Sequence, residues 1–262
     1  MNSHIDLQRY PLDQPSSLEY QSLVEHCRAE LDHTGMFNLH GLVPLDVCAR
    51  AVDEIMPTMN NASFEHRRWH NIYFLDEVPG LEADHPALRK VETVNHTVCA
   101  DQMADSIVIA VYEYSPLLRF LADVMQKSEL YLMDDPLARA NVMAYREGEA
   151  LNWHFDRSEF TTTLLLQSPE VGGEFEYRSD LRSDDDPNYP GVEQLLMGED
   201  SNKQLLKVEP GTLNVFRGKN TAHRVTRVEG NRERVIAVFS YYEFPGKLFS
   251  EPERIGFYGR AE

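Results

Sequence analysis

Hydrophobic residues in the first part of the chain recur at helical spacing. One stripe follows two serines able to cap a helix, Ser16 and Ser17, and ends before Gly35. Its members are Leu18, Leu23, Val24, Cys27 and Leu31. A short apolar run at 36–39 predicts a strand, and a second stripe predicts a helix over 44–56. The pattern predicts a helix–strand–helix layer that packs against a sheet, preceded by a polar, proline-punctuated arm at 1–15.

The middle of the chain gives a weaker pattern. Residues 72–75 form an apolar run that predicts a strand, and the polar and aromatic residues 67–70 before it suit either a pocket wall or a solvated loop. Residues 97–126 show apolar positions typical of helices. Pro116 predicts a division of this segment into two helices, because proline is tolerated only in the first turn of a helix.

From Leu130 onward the pattern changes to short strands separated by glycine and proline. The predicted strands span 140–145, 151–156, 160–167, 174–177, 205–208, 212–216 and 234–242. This succession favours a barrel or a double-sheet jelly roll over βαβ units. The acidic segment 178–203 interrupts it. A connection of that length is either a functional lid or a mobile insertion.

Composition narrows the function classes. The chain has 262 residues, of which 42% are hydrophobic and 26% charged, as in a soluble globular protein. A formal charge of −18 disfavours binding to nucleic acid, whose phosphates require Lys and Arg. No apolar run approaches the ~20 residues that cross a bilayer. Three dispersed cysteines, Cys27, Cys48 and Cys99, argue against a disulfide scaffold and favour a reducing cytoplasm.

The candidate chemistry lies within the predicted strand at 151–156. His154 and Asp156 are two positions apart, so both side chains point to the same face of the strand. With a second histidine from a distant strand, such as His223, they would form the two-His, one-carboxylate set that suits non-haem Fe(II). The His-x-Asp pattern is weak evidence alone, since His4-Ile5-Asp6 also satisfies it. Two further residues are candidates: Tyr145 ends the preceding predicted strand, and Arg234 opens the final predicted strand.

The order of these features is similar to that of a known family. Across 141–242 the chain has a strand tyrosine, His-x-Asp, a Gly-Gly strand, a Pro-Gly strand, His-x-Val and then a strand arginine. This order resembles the Fe(II)/2-oxoglutarate-dependent oxygenases. The resemblance implies a mainly β, α+β protein with a double-stranded β-helix core of the jelly-roll or cupin-like type. The chain would be a single oxygenase domain, with an N-terminal support region at 1–129, a core at 130–245 and a C-terminal tail at 246–262.

The resemblance also assigns roles to individual residues. His154, Asp156 and His223 would be the iron ligands, and Arg234 would pair with the distal carboxylate of 2-oxoglutarate, since a guanidinium can hold a carboxylate with two hydrogen bonds. Arg232 has the same strand parity and is the alternative to Arg234. Tyr145 would supply a hydroxyl group to the same carboxylate. The implied cofactors are Fe(II), the cosubstrate 2-oxoglutarate and O2.

A narrower resemblance concerns the substrate. Several segments are similar to the bacterial free-amino-acid (lysine-type) radical halogenases and hydroxylases; they are 153–156, 161–167, 172–175, 216–218, 223–226 and 257–260. In the halogenases a glycine replaces the carboxylate ligand and frees a position for chloride. Asp156 is present here, so the expected reaction is hydroxylation of an unactivated C–H bond with release of succinate and CO2.

Two alternatives remain at this point. One is a 2-oxoglutarate oxygenase that modifies a protein or peptide side chain. The other is a jelly-roll binding protein or metal-dependent isomerase, a function that would leave Arg234 without a role. The expected partner is a small molecule rather than nucleic acid or a membrane, and the sequence leaves open whether the chain forms a homodimer.

Overall fold

The structure, a computed structural model, describes residues 4–262. The helices are α1 (Leu18–Thr34), α2 (Leu45–Ala62), α3 (Ile107–Tyr112), α4 (Ser115–Val124), α5 (Tyr189–Met197) and α6 (Glu251–Tyr258). The strands of the first half are β1 (Met36–Leu39), β2 (Phe64–His70), β3 (Val91–Cys99), β4 (Tyr131–Leu132), β5 (Ala140–Tyr145), β6 (Leu151–His154) and β7 (Thr161–Gln167). The remaining strands are β8 (Val171–Gly172), β9 (Phe175–Arg178), β10 (Gln204–Leu206), β11 (Leu213–Phe216), β12 (Ala222–Val225), β13 (Val228–Glu229), β14 (Arg234–Phe239) and β15 (Tyr241–Tyr242).

Two antiparallel β-sheets form the centre of the fold. The larger sheet has seven strands in the order β1-β11-β7-β14-β5-β3-β2, and the smaller has four in the order β10-β9-β12-β6. The neighbouring strands in both sheets pair antiparallel. This arrangement, with its flanking helices, confirms the predicted α+β class with a double-stranded β-helix core.

Side-chain alternation gives the larger sheet two different faces. On β14, Val235, Ala237 and Phe239 are buried in the main hydrophobic core, whereas Arg234 and Ile236 face a cavity. The strands β5, β7 and β11 alternate in the same way. One face of the sheet therefore buries apolar residues under the helices, and the other lines the space in front of the smaller sheet.

The N-terminal helices cover the apolar face as predicted. The hydroxyl oxygen of Ser17 accepts a hydrogen bond from the backbone N–H of Tyr20 and so caps α1, and Gly35 ends the helix at φ 77°. The second helix extends beyond its predicted end, to Ala62, and contains Pro57. The interpretation of 1–15 as an arm is wrong for the described residues, because Ile5, Tyr10 and Leu12 are buried in the main core.

Two predictions in the middle of the chain are also wrong. Residues 72–75 form a turn, not a strand, because the Asn71 side chain accepts hydrogen bonds from the backbone N–H groups of Tyr73 and Leu75. The strand comes earlier, as β2. The predicted start of a helix at 97 is wrong too, because β3 continues to Cys99; the division at Pro116 is confirmed, with the proline in the first turn of α4.

The acidic insertion and the C-terminal segment are both folded. The segment 178–203 contains α5, whose Val192 and Leu195 pack in a cluster with Trp153 and Phe155. The segment 246–262, predicted as a tail, contains α6, whose first turn is stabilised by a capping box between Ser250 and Glu253. Both segments contribute residues to the cavity.

The three cysteines are free and buried. Within residues 4–262, no helix combines the length and the apolar character needed to cross a membrane.

Candidate metal and cosubstrate site

The three residues predicted as ligands meet beside the smaller sheet. His154 on β6 lies directly opposite His223 on β12 in the antiparallel pairing, and Asp156 follows β6 by two residues. The Nε2 atom of His154 lies 3.4 Å from Oδ1 of Asp156, and the Nε2 atom of His223 lies 3.4 Å from Oδ2. One ligand atom from each residue lies within 4.8 Å of the other two. The strand pairing thus brings the three donors to one point.

The other nitrogen of each histidine is held by the backbone. The Nδ1 atom of His154 lies 2.8 Å from the carbonyl oxygen of Asn152, and that of His223 lies 3.0 Å from the carbonyl oxygen of Thr221. A carbonyl oxygen only accepts, so each Nδ1 carries the proton and each Nε2 keeps its lone pair. This is the second contact that usually orients metal-binding histidines. The donor set therefore fits a divalent metal with open coordination positions.

Asp156 is oriented from two sides. Its Oδ2 accepts a hydrogen bond of 2.5 Å from the hydroxyl group of Thr161, and its backbone N–H donates to the carbonyl oxygen of Gly218 at 3.0 Å. Burial would raise the pKa of Asp156, but His223, His154 and the Thr161 hydrogen bond lower it below its usual value. The carboxyl group is therefore ionised, as a metal ligand must be.

Burial lowers the pKa of His223, whereas it would raise that of Asp156. Its removal from water, followed by the proximity of His154, lowers the pKa of His223 to about 4. The imidazole is neutral at physiological pH and available as a ligand.

Gly218 is required by this geometry. A Cβ atom at position 218 would lie 2.3 Å from Oγ1 of Thr161 and 2.6 Å from Oδ2 of Asp156. The chain passes so close to the carboxylate that only glycine leaves room for the hydrogen bond between Thr161 and Asp156.

Arg234 and Tyr145 face the same cavity from the larger sheet. They are direct partners in the pairing of β14 with β5, and the guanidinium carbon lies 5.9 Å from the centroid of the tyrosine ring. Both side chains are buried, and burial raises the pKa of Tyr145 to about 12. The smaller sheet supplies the candidate metal ligands and the larger sheet supplies this cation.

The guanidinium of Arg234 is incompletely paired. Its Nε donates to the carbonyl oxygen of Gly173 at 2.9 Å, but Nη1 is buried without a hydrogen-bond partner, and the described residues provide no ion pair for it. Burial lowers the pKa of Arg234 to about 10. A buried cation with an unsatisfied donor is costly unless a ligand completes it, and a carboxylate has the geometry to do so.

Arg232, the alternative to Arg234, does not reach the cavity. Its side chain is exposed and donates to the carbonyl oxygen of Pro169 at 3.1 Å. The geometry therefore favours Arg234 as the carboxylate-binding residue.

The cavity between the sheets has a volume of about 1050 Å³. Besides the predicted residues, its wall includes residues 73–75 of the turn, Arg182 of the insertion and Glu253 of α6. Sequence reasoning missed Thr161 as a partner of Asp156. It also left 67–70 undecided, and the structure places Arg68 and His70 in the cavity wall.

Phe74 packs beside the triad in an uncommon backbone conformation. Its φ is 57°, a left-handed value that bulky residues rarely adopt. The ring stacks on His70 at a centroid distance of 4.4 Å and meets His154 edge-on at 5.7 Å. Residues held in such conformations cluster at functional sites.

A comparison with family models identifies one match. The family described as HalD, Halogenase D, matches residues 19–244. No match was found among the curated proteins.

Solved structures with the same fold are distant in sequence. The epimerase SnoN from nogalamycin biosynthesis is 12% identical, with 85% of this chain and 83% of that chain covered and a TM-score of 0.56. HygX from Streptomyces hygroscopicus, with nickel and 2-oxoglutarate bound, is 15% identical, with 82% and 85% covered and a TM-score of 0.55. A prolyl-4-hydroxylase from Pseudomonas putida is 13% identical, with 82% and 97% covered and a TM-score of 0.51.

Proposed function

The chain belongs to the Halogenase D family, and from that membership we propose that it is an Fe(II)- and 2-oxoglutarate-dependent hydroxylase of a small substrate, a free amino acid or a derivative of one. One observation carries the proposal: the His154–Asp156–His223 triad and the unpaired guanidinium of Arg234 face a single cavity from opposite sheets. A metal set and a carboxylate anchor in one cavity are what this chemistry needs.

His154, Asp156 and His223 would hold the iron. When bound with 2-oxoglutarate and O2, iron supplies the oxidant that converts R–H to R–OH while 2-oxoglutarate becomes succinate and CO2. One oxygen atom of O2 enters the product and the other enters succinate. The chain itself keeps both Nε2 lone pairs directed at one point through the contacts of Nδ1 with backbone carbonyl oxygens.

Arg234 would hold the distal carboxylate of 2-oxoglutarate. Its hydrogen bond to Gly173 fixes the guanidinium, and Nη1 has no hydrogen-bond partner among residues 4–262. Tyr145, the partner of Arg234 in the pairing of β14 with β5, would contact the same carboxylate. The cosubstrate would thus be oriented at one end by the larger sheet and at the other by the metal on the smaller sheet.

Asp156 supports hydroxylation rather than halogenation. A halogenase of this type needs an open coordination position where a hydroxylase has its carboxylate. In this chain the position holds an ionised aspartate, fixed by Thr161 and by the backbone at Gly218. The proposed reaction therefore differs from the one in the family's description, and the proposal rests on this side chain.

The cavity volume supports a small substrate. Ligand sites commonly have volumes of about 300–1000 Å³, and this one, at about 1050 Å³, would also hold the cosubstrate. The alternative substrate, a peptide side chain, is represented among proteins of the same fold by the prolyl-4-hydroxylase. A peptide would need an extended groove beside the metal, whereas here α6 and the folded insertion both form walls of the cavity.

The proposal is tested by a product screen. The purified chain is incubated with Fe(II), 2-oxoglutarate and O2 and with a panel of free amino acids and their derivatives, and products are analysed by mass spectrometry. We expect a product heavier by one oxygen atom, about 16 Da, that is absent when iron or 2-oxoglutarate is omitted. Oxygenation of peptides alone, or product formation without 2-oxoglutarate, would contradict the proposal.

A further inference from the structure

The backbone segment that orients His154 is itself held by the larger sheet. The strand β6 lies at the edge of the smaller sheet. At this edge the backbone N–H of Asn152 donates to Oγ1 of Thr93, on β3, at 3.1 Å, and the backbone N–H of Val94 donates to the carbonyl oxygen of Ala150 at 3.3 Å. Asn152 is also the residue whose carbonyl oxygen contacts Nδ1 of His154. Thr93 therefore fixes the segment that supports this ligand.

The hydroxyl group of Thr93 makes every hydrogen bond that it can. A threonine hydroxyl has one proton and two lone pairs. Its oxygen accepts from the backbone N–H and from the side-chain amide of Asn152, at 3.1 and 3.4 Å. Its proton is therefore directed at Nε2 of His70, on β2, which lies 2.7 Å away. Both side chains are buried.

His70 accepts this hydrogen bond as a neutral imidazole. Its Nδ1 lies 2.9 Å from the carbonyl oxygen of Asn71, so Nδ1 carries the proton and Nε2 keeps its lone pair. Burial lowers the pKa of His70 to about 4. Although His70 lines the cavity, both of its ring nitrogens are used within the protein. The residue is therefore placed to support the site and not to bind a substrate or a metal itself.

Together these contacts form a continuous chain from the metal site to the turn that begins at Asn71. The Nδ1–H of His154 donates to the carbonyl oxygen of Asn152, and the backbone N–H of Asn152 donates to Thr93. The hydroxyl group of Thr93 donates to His70, and the Nδ1–H of His70 donates to the carbonyl oxygen of Asn71. A buried polar network in which each member is satisfied makes its surroundings rigid.

Ring contacts hold the two histidines in the same arrangement. The His70 and His154 rings are nearly perpendicular, with centroids 6.3 Å apart and an interplanar angle of 85°. The ring of Phe74 packs on both of them. Phe74 belongs to the turn that the Asn71 side chain organises. The imidazole of His154 is therefore bounded by ring contacts as well as by its hydrogen bond.

We propose that His70 is a positioning residue for the metal site, which sets the orientation of the His154 imidazole through Thr93 and the backbone of Asn152. Without the acceptor on His70, the Thr93 hydroxyl group can rotate, and β6 loses part of its attachment to the larger sheet. Nε2 of His154 can then move away from the point that it shares with the other two ligands. The inference rests on the proposed function, since it requires His154 to bind a metal.

The test is a titration of the purified chain with Co(II), without cosubstrate or substrate. Calorimetry measures the affinity, and the visible absorption of the bound ion reports its coordination geometry. His70→Phe keeps a ring against Phe74 but removes the acceptor, and Thr93→Val keeps the shape of the side chain but removes the hydroxyl group. We expect both variants to bind Co(II) about tenfold or more weakly and to change the visible spectrum, because groups that orient a metal ligand have effects of this size.

Conservative variants separate the hydrogen bonds from packing. His70→Gln retains an acceptor that can replace Nε2, and Thr93→Ser retains the hydroxyl group, so both should bind Co(II) with nearly the wild-type affinity and spectrum. His66→Phe is the matched control. His66 lies on the same face of β2 and lines the cavity, but its ring packs near Phe64 and Phe257 and not against the triad. This variant should bind Co(II) as the wild type does.

Wild-type affinity and spectrum in a folded His70→Phe or Thr93→Val would overturn the inference. Equal losses in His70→Phe and His70→Gln, or in His70→Phe and His66→Phe, would also overturn it. Circular dichroism checks the fold, and Thr93→Val decides alone if His70→Phe does not fold. A wild-type chain that binds no Co(II) contradicts the proposed function together with this inference, whereas wild-type binding with unaffected variants contradicts the inference alone.

Discussion

The hydroxyl group of Thr161 donates a 2.5 Å hydrogen bond to Oδ2 of Asp156, the same oxygen that lies 3.4 Å from Nε2 of His223. Thr161 is on the larger sheet and Asp156 follows a strand of the smaller one. The contact therefore ties the carboxylate of the triad to the opposite wall of the cavity.

Removal of this hydroxyl group is expected to weaken metal binding. Thr161→Val conserves the shape of the side chain but leaves Asp156 without its hydrogen bond, and loss of such a contact typically lowers metal affinity about 10- to 100-fold. Titration with a divalent metal measures the effect. Thr161→Ser, which keeps the hydroxyl group, is the control, and equal affinities for the two variants would show that the hydrogen bond does not support the site.

Replacement of Asp156 by glycine is expected to change the reaction. The variant loses the carboxylate ligand, and hydroxylation should fall to a small fraction of the original rate. Only the variant offers a coordination position for a halide, so chlorinated product should appear only there, in the presence of chloride. Chlorination by the unmodified chain, detected by mass spectrometry, would refute the role given to Asp156.

Arg234→Met is expected to raise the 2-oxoglutarate concentration needed for half-maximal turnover by about 10- to 100-fold, the value of one or two charge-assisted hydrogen bonds. The unliganded variant should unfold at the same or a higher temperature, because the unpaired guanidinium is costly to bury. Arg232→Ala is the matched control. An unchanged requirement in Arg234→Met would transfer the role to another cation.

Asp135 links the C-terminal segment, including α6, to the loop that precedes β5. Its side chain is fully buried; it accepts hydrogen bonds from the backbone N–H groups of Leu137, Ala138 and Phe249 and from Nε of Arg254. Burial would raise the pKa of Asp135, but these hydrogen bonds lower it below its usual value. The ionised carboxylate is therefore stabilised more in the folded chain than in the unfolded one.

This depressed pKa predicts a loss of stability in acid. The contribution of Asp135 is complete above its unfolded pKa of about 4 and is lost as the pH falls through the lower folded value. Urea unfolding of the wild-type chain and of Asp135→Asn at neutral pH and at about pH 3 measures it. The difference between the two proteins should shrink in acid; a constant difference would contradict the prediction.

The strands of the β core could be predicted because the residue patterns that indicate a strand are local in the sequence. The strands β5, β7, β11 and β14 of the larger sheet are rich in apolar residues and were predicted from that pattern. His154 and Asp156 are two positions apart in the sequence, although β6 ends at His154 and Asp156 lies just beyond it. The placement of His223 and Arg234 came from the resemblance, since no local rule indicates which distant strands pair. The oxygenase class and fold are confirmed by the family match and the architecture.

The elements that the sequence analysis predicted wrongly or missed have physical explanations. The N-terminal segment contains only scattered apolar residues, but Tyr10 and Leu12 are buried because the chain folds back, with the Tyr10 hydroxyl donating to the carbonyl oxygen of His40. The strand β3 was missed because Thr93 and Asn95 are polar yet buried in the cavity wall, which hides the alternation. The capping box of Ser250 and Glu253 is the sequence signal that marks the start of α6.

The central claim is that iron held by the triad couples 2-oxoglutarate to substrate oxidation. Its most direct test is succinate formation from 2-oxoglutarate by the wild-type chain, His223→Ala and the surface control His26→Ala, each with and without Fe(II). The account predicts iron-dependent succinate formation by the wild type and by His26→Ala, and its loss in a folded His223→Ala. Succinate formation at the wild-type rate in His223→Ala, or no iron-dependent succinate from the wild type, would contradict it.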